Sequence, residues 1–207
     1  MPKRNYVSSA RAVAAAETRE RIIAAGARLL RKDASIANFS LDLVAKAAGV
    51  TRLTVYNQFG SRRGLLEAVF DDIARQGGLF ELTDTMAMAD PRAALDRVVE
   101  IFCAFWGHDP AIGGLNQAIA TDPEFGEALI ERNERRRELL TALLSRIAGK
   151  SAAKRAVRDA ADLIFVLTSY PTFAALSPQR SAGEICSLLQ AACHAAVDVI
   201  AQNERKK

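Results

Sequence analysis

Apolar residues recur along this chain at intervals of three and four, and no segment alternates residue by residue, so the pattern predicts an all-α protein. Between Glu17 and Arg31, the positions Ile22, Gly26, Leu29 and Leu30 share a helical face, with Arg19, Arg28 and Lys32 turned away from it. Asn38-Phe39-Ser40 interrupts that helix. Ser40 suits the N-cap of a short helix from Leu41 to Ala48, whose Leu41, Val44, Ala45 and Ala48 point one way. Gly49 can take the left-handed conformation that closes a helix. Thr51 then caps a third helix ending at Phe59, and Ser61 caps a fourth that continues to Gln76.

Beyond Gly77-Gly78 three Asp-Pro pairs set the punctuation, each a capping residue followed by a proline suited to a first helical turn. Asp90-Pro91 opens a helix to Trp106, Asp109-Pro110 a short one, and Asp122-Pro123 a long one to Ala148. A helix from Ala152 to Leu176, kinked at Pro171, and a last one from Ser181 to Asn203 complete the expectation. The glycine pair is read as a helix junction that divides residues 1–78 from 79–207.

The third helix is unusual. Val55 and Phe59, four apart, are its only firm apolar anchors, while Arg52, Leu53, Thr54, Tyr56, Asn57 and Gln58 face elsewhere. A helix so weakly anchored makes sense if its outer face enters a DNA major groove. There Asn and Gln can meet adenine edges, Arg can meet guanine, and Leu53 and the Thr methyl can touch a thymine methyl. The preceding helix, turned sharply at Gly49, would cross the DNA backbone as in a helix-turn-helix, with the caps Ser40 and Thr51 at the helix starts. Arg62 and Arg63, at the start of the fourth helix, offer a phosphate clamp. Lys3, Arg4 and Arg11 make a loose basic arm that either adds to DNA affinity or is a solvated tail.

Charge supports this placement. Residues 1–75 hold 13 Lys and Arg against 7 Asp and Glu, whereas the remainder holds 15 against 17, so a net charge of +4 divides as +6 and −2. Basic surface attracts phosphate backbones. Half of the 207 residues are apolar and a quarter charged, which excludes a disordered chain. Three cysteines do not make a disulfide framework, and a reducing cytoplasm is expected. The longest uncharged stretch, Leu163 to Gln179, is shorter than the ~20 residues of a membrane span and contains two prolines, so no membrane partner is expected.

The run from Phe39 to Leu66 resembles the N-terminal domain of TetR/AcrR-family repressors. Ala48-Gly49-Val50, Thr54, Tyr56, Phe59, Ser61 and Leu65 fall where that family's pattern has them, over residues 17–75. Arg62 replaces the usual lysine, and Gly64 stands where an acidic residue is commoner. The resemblance implies a three-helix DNA-binding domain joined through a connecting helix to a C-terminal bundle. It implies Arg52, Thr54, Tyr56, Asn57 and Gln58 at double-stranded DNA, Arg62 on phosphate, a palindromic operator, an effector pocket and a homodimer formed by the last two helices.

The second part of the chain offers candidates for the last two roles. Ile185, Leu188, Leu189, Ala192, Ala196, Val199 and Ile200 form an apolar stripe, and Leu163, Ile164 and Leu167 a matching face. Either these meet a partner subunit or they are buried within one chain. Phe102, Cys103, Phe105, Trp106 and His108, with Phe165, Tyr170 and Phe173, could line a site for a lipophilic small molecule, or could be ordinary core. Cys186, Cys193 and His194 are too sparse for a metal site, and no cofactor or catalytic motif is apparent. The charged run Glu131 to Glu138 reads as a solvated helix face. The expected function is a ligand-responsive repressor. A regulator without a ligand, an activator, or a helical enzyme or adaptor that contains a helix-turn-helix are the alternatives.

Overall fold

The computed structural model describes residues 4–33, 36–149 and 153–204, with the side chains of 4–10 and 200–204 left aside. Among the described residues the chain is all-α: α1 Arg4–Asp33, α2 Leu41–Ala48, α3 Arg52–Phe59, α4 Arg62–Gln76, α5 Leu82–Thr85, α6 Pro91–His108, α7 Ala111–Thr121, α8 Pro123–Ala148, α9 Lys154–Leu167, α10 Tyr170–Leu176 and α11 Ala182–Glu204. A single 3₁₀ turn, Leu79–Glu81, precedes α5. No helix among these residues is long and apolar enough to cross a membrane.

The packing forms two compact units. Residues 1–73 group with 110–127, and residues 74–109 with 128–207. Where the sequence suggests one boundary near residue 78, α7 and the first turn of α8 pack with the N-terminal helices.

In the first unit α1 packs on α2, α2 on α3, and α7 on α1. Its buried residues include Ile22, Leu30, Phe39, Val44, Ala45, Ala48, Val55, Leu65, Leu66 and Val69. The expected caps hold. Ser40 Oγ accepts from the Leu43 N–H, and Gly49 adopts φ 67°, ψ 35°. The N–H groups of Gly49 and Val50 reach back to Lys46 and Ala45, the paired bonds of a Schellman close. Gly64 has a role that its helix propensity conceals: a Cβ there would lie 2.2 Å from the Phe59 carbonyl oxygen. Only glycine lets the end of α3 sit against the start of α4.

α1 begins earlier than the pattern suggests. Residues 4–16 are helical, as the run Ala12-Val13-Ala14-Ala15-Ala16 favours, so the basic segment bearing Arg4 and exposed Arg11 is not a loose arm. Lys3 lies outside the described residues.

In the second unit α11 packs on α9 and α6, and α10 on α6 and α9. Val98, Phe102, Leu140, Leu143, Leu144, Ile164, Phe173, Ile185, Leu189 and Cys193 share its core. The expected kinked helix is two helices. α9 stops at Leu167, Thr168 adopts φ −88°, ψ 11°, and Ser169 precedes α10 with Pro171 in its first turn. Proline has no N–H and would clash with the carbonyl four residues back, so the chain restarts rather than bends.

Candidate functional site

The outward face of α3 is built by its two ends. Thr51 Oγ1 accepts from the Thr54 N–H at 3.1 Å, and the two hydroxyls lie 2.9 Å apart. At the other end, Gly60 at φ 72° closes the helix. There Arg19 donates from Nη1 to the Gln58 carbonyl at 3.0 Å, with its guanidinium 4.4 Å from the centre of the Phe59 ring. This places a cation at the negative end of α3, a role the sequence pattern, which puts Arg19 outside, does not suggest.

Between these ends only Val55 is fully buried. Leu53 and Tyr56 are 65% and 55% exposed. Arg52 and Asn57 are exposed as well, whereas Thr54, Gln58 and Ser40 are half-buried. Arg52 Nε stands 3.6 Å from Asp42 Oδ2, with both side chains 69% exposed, a contact too weak to hold it. The side chains expected at DNA therefore form one outward surface, in which Ser40 and Thr51 have their oxygens already used as caps.

Arg62 is the exception. Its Nε donates to the Phe39 carbonyl at 2.7 Å, its Nη2 to the Ile36 carbonyl at 2.8 Å, and its Nη1 pairs with Asp122 Oδ2. All three sides of the guanidinium are committed inside the first unit, so the expected phosphate clamp is not available in this structure. Asp122 in turn accepts from the Phe125 N–H at the start of α8. Burial alone would raise its pKa, but the bonds from Phe125 and Arg62 prevail and hold it below the usual carboxylate value. Arg63 is engaged by Glu67.

The second unit holds the expected aromatic cluster. The Trp106 ring lies 5.9 Å from Phe102, 4.7 Å from Phe105 and 5.6 Å from Tyr170, measured between centres. Phe173 is buried against Gly107. His108 is exposed and is not part of the cluster, and Cys103 is buried in the core. The sequence reading misses the cluster's charged member. Arg136, read as part of a solvated face, is only 8% exposed. Its guanidinium lies 4.1 Å from the Phe165 ring centre and 5.2 Å from that of Phe102. It donates to the Thr168 carbonyl at 2.9 Å and to that of Phe165 at 3.3 Å, both freed by the end of α9.

The expected interface residues separate into two sets. Ile164, Ile185, Leu189 and Ala196 are buried within the chain and cannot meet a partner, because they lie on the inner side of their helices. Leu167 and Ala192 are half-buried. Leu163, Leu188 and Val199 remain exposed, joined by Val166 at 57%. The side chain of Ile200 lies outside the described set.

Burial raises the thiol pKa of Cys103 to about 12, with Cys186 adding to the effect, and that of Cys193 to about 12 as well. His194 Nε2 is 2.7 Å from Asp96 Oδ1. Among the described residues no group of three His, Cys, Asp or Glu could hold a metal ion.

Residues 22–69 match the model of the bacterial regulatory proteins of the TetR family. The HTH-type transcriptional regulator EthR of Mycolicibacterium smegmatis is 33% identical over 114 residues, 54% of this chain. The match spans 52% of EthR, about half the length of that relative. Native NalD of Pseudomonas aeruginosa, described as the secondary repressor of the MexAB-OprM multidrug efflux pump, superposes with TM-score 0.67 at 18% identity, over 88% of this chain and 97% of NalD. A TetR transcription regulator from Haloarcula marismortui gives 0.68 at 14% identity, over 89% of this chain and 98% of its own. At such identities the structural likeness shows the shared fold.

Proposed function

We propose, from the match of residues 22–69 to the model of the bacterial regulatory proteins of the TetR family, that the chain is a DNA-binding transcriptional repressor that reads a palindromic operator as a homodimer and is released by a small molecule. The observation that carries this reading is the outer face of α3. Folding has no use for an exposed Leu53 and Tyr56 beside exposed Arg52 and Asn57. A major groove uses all four: guanidinium on guanine, amide on adenine, apolar groups on thymine methyls, and phenol on phosphate.

Two copies are needed because one eight-residue helix reads only a few base pairs. Recognition helices about one DNA turn apart give the required specificity. Leu163, Val166, Leu188 and Val199, exposed on two helices that pack together, supply an apolar face for the partner. Release requires that α3 move. Asp122 caps α8 and grips Arg62 at the head of α4, so a displacement at the start of α8 is transmitted to the helix next to α3. The occupant responsible binds in the aromatic cluster around Trp106. A regulator without a ligand would keep the first half of this account and lose the second.

The test is capture of genomic fragments by the purified protein at two salt concentrations, followed by footprinting. A protected two-fold symmetric sequence, lost in Arg52→Ala, is expected. Weak binding that is equal in parent and variant and disappears with salt would reduce the basic surface to a non-specific patch.

A further inference from the structure

Arg136 and Arg137 are neighbours on α8 with opposite provisions. Arg137, a third exposed, has two carboxylates: Asp162 and, 3.3 Å from its Nε, Glu134. Arg136, more than nine-tenths buried, has neither a carboxylate partner nor, at its Nε, a hydrogen-bond partner among the described residues. Burial, reinforced by the charge on Arg137, pushes its pKa down to about 10, which still leaves the guanidinium charged at neutral pH. A buried cation normally has a counterion, because removing a charge from water without one is costly.

What surrounds it compensates in part. The Phe165 and Thr168 carbonyls carry the partial negative charge of the end of α9. The Phe102 and Phe165 rings offer their faces. The Thr168 carbonyl is shared, since Trp106 Nε1 also donates to it at 2.9 Å. None of these is an anion, and the Nε–H remains unsatisfied. Trp106, Phe165 and Tyr170 are only half-buried, so the aromatic walls have edges open to an incoming molecule.

We propose that the ligand of this cluster is an organic carboxylate with an apolar body, its carboxylate received by Arg136 and its body packed among Trp106, Phe165 and Tyr170. This rests on the reading of the cluster as the effector site and names the chemical class of the effector. A compact monoanion fits one unsatisfied donor among rings. A phosphate, with more charge and more acceptors, would need donors that the rings do not provide.

Trp106 is the only tryptophan in the chain and lies in the cluster, so its fluorescence reports on the site directly. The full-length protein is titrated with 4-phenylbutanoate and decanoate, and with the matched neutral amides 4-phenylbutanamide and decanamide. Both carboxylates are expected to change Trp106 emission saturably, with affinities about tenfold or more above those of their amides, the worth of a charge-assisted hydrogen bond. Arg136→Met removes that preference, and Arg136→Lys, which keeps the charge should the first variant fold poorly, weakens it. Equal binding of acid and amide would overturn the carboxylate assignment while leaving an effector site intact. No response to any of the four would overturn the assignment and the effector reading of this cluster together.

Discussion

The two units use their unusual residues in opposite ways. In the first, the residues that stand out are those folding leaves unused: Arg52, Leu53, Tyr56 and Asn57 on the outside of α3. In the second it is Arg136, a charge that folding has enclosed without a counterion among the described residues. A surface made for a large charged polymer is assembled by exposure, because DNA brings its own charge and shape. The small-molecule site proposed in the second unit would be assembled by enclosure, because its selectivity would depend on groups shielded from water.

The largest departure from this contrast should come from a glycine. Gly64→Ala pushes a methyl group against the Phe59 carbonyl, a backbone atom that cannot swing aside. We expect a loss of about 3 kcal/mol in urea unfolding, at the upper end of overpacking costs. Asp122→Asn comes next. It leaves Arg62 with its two carbonyl acceptors only, at about 2 kcal/mol, the scale of a lost charged hydrogen bond. The parent carboxyl titrates below its ordinary value, so its stabilisation is complete above about pH 4. It is lost as pH falls through the depressed folded-state value. Acid unfolding curves should show this limb in the parent and lack it in Asp122→Asn, and the variant should also respond less to an effector.

The remaining effects on stability are smaller. Val166→Glu with Leu188→Glu places charges on the exposed face of α9 and α11, and sedimentation should find a monomer that retains the parent's helical circular dichroism. Arg52→Ala removes a side chain held only by a 3.6 Å surface contact, so its unfolding midpoint should match the parent's to within about 0.5 kcal/mol. Its operator affinity should still fall by tenfold or more, on the order of one base contact.

Most of the helix-turn-helix was legible because its signals are local. Ser40, Gly49, Thr51 and Ser61 act within a few residues of themselves, and each stands where its capping chemistry requires. What escaped notice depends on distant partners. Arg62 looked free because Asp122 lies 60 residues away in the chain. Arg136 looked solvated because a run of alternating charges hides which member turns inward. The apolar stripe of α11 was visible, but not that Ile185 and Leu189 fill the unit's own core while Leu188 faces outward. Periodicity identifies a face; it does not identify what covers the face.

On the function proposed, α3 is exposed in order to read bases. One variant tests it on one sample: Asn57→Ala, followed by chemical unfolding and by anisotropy titration with the footprinted operator and an unrelated duplex of equal length. Unchanged unfolding, at least about a tenfold loss of affinity for the operator and unchanged affinity for the unrelated duplex are expected. If the two duplexes weaken together, or neither does, Asn57 carries no sequence information, and the exposed face of α3 is not the reading head proposed here.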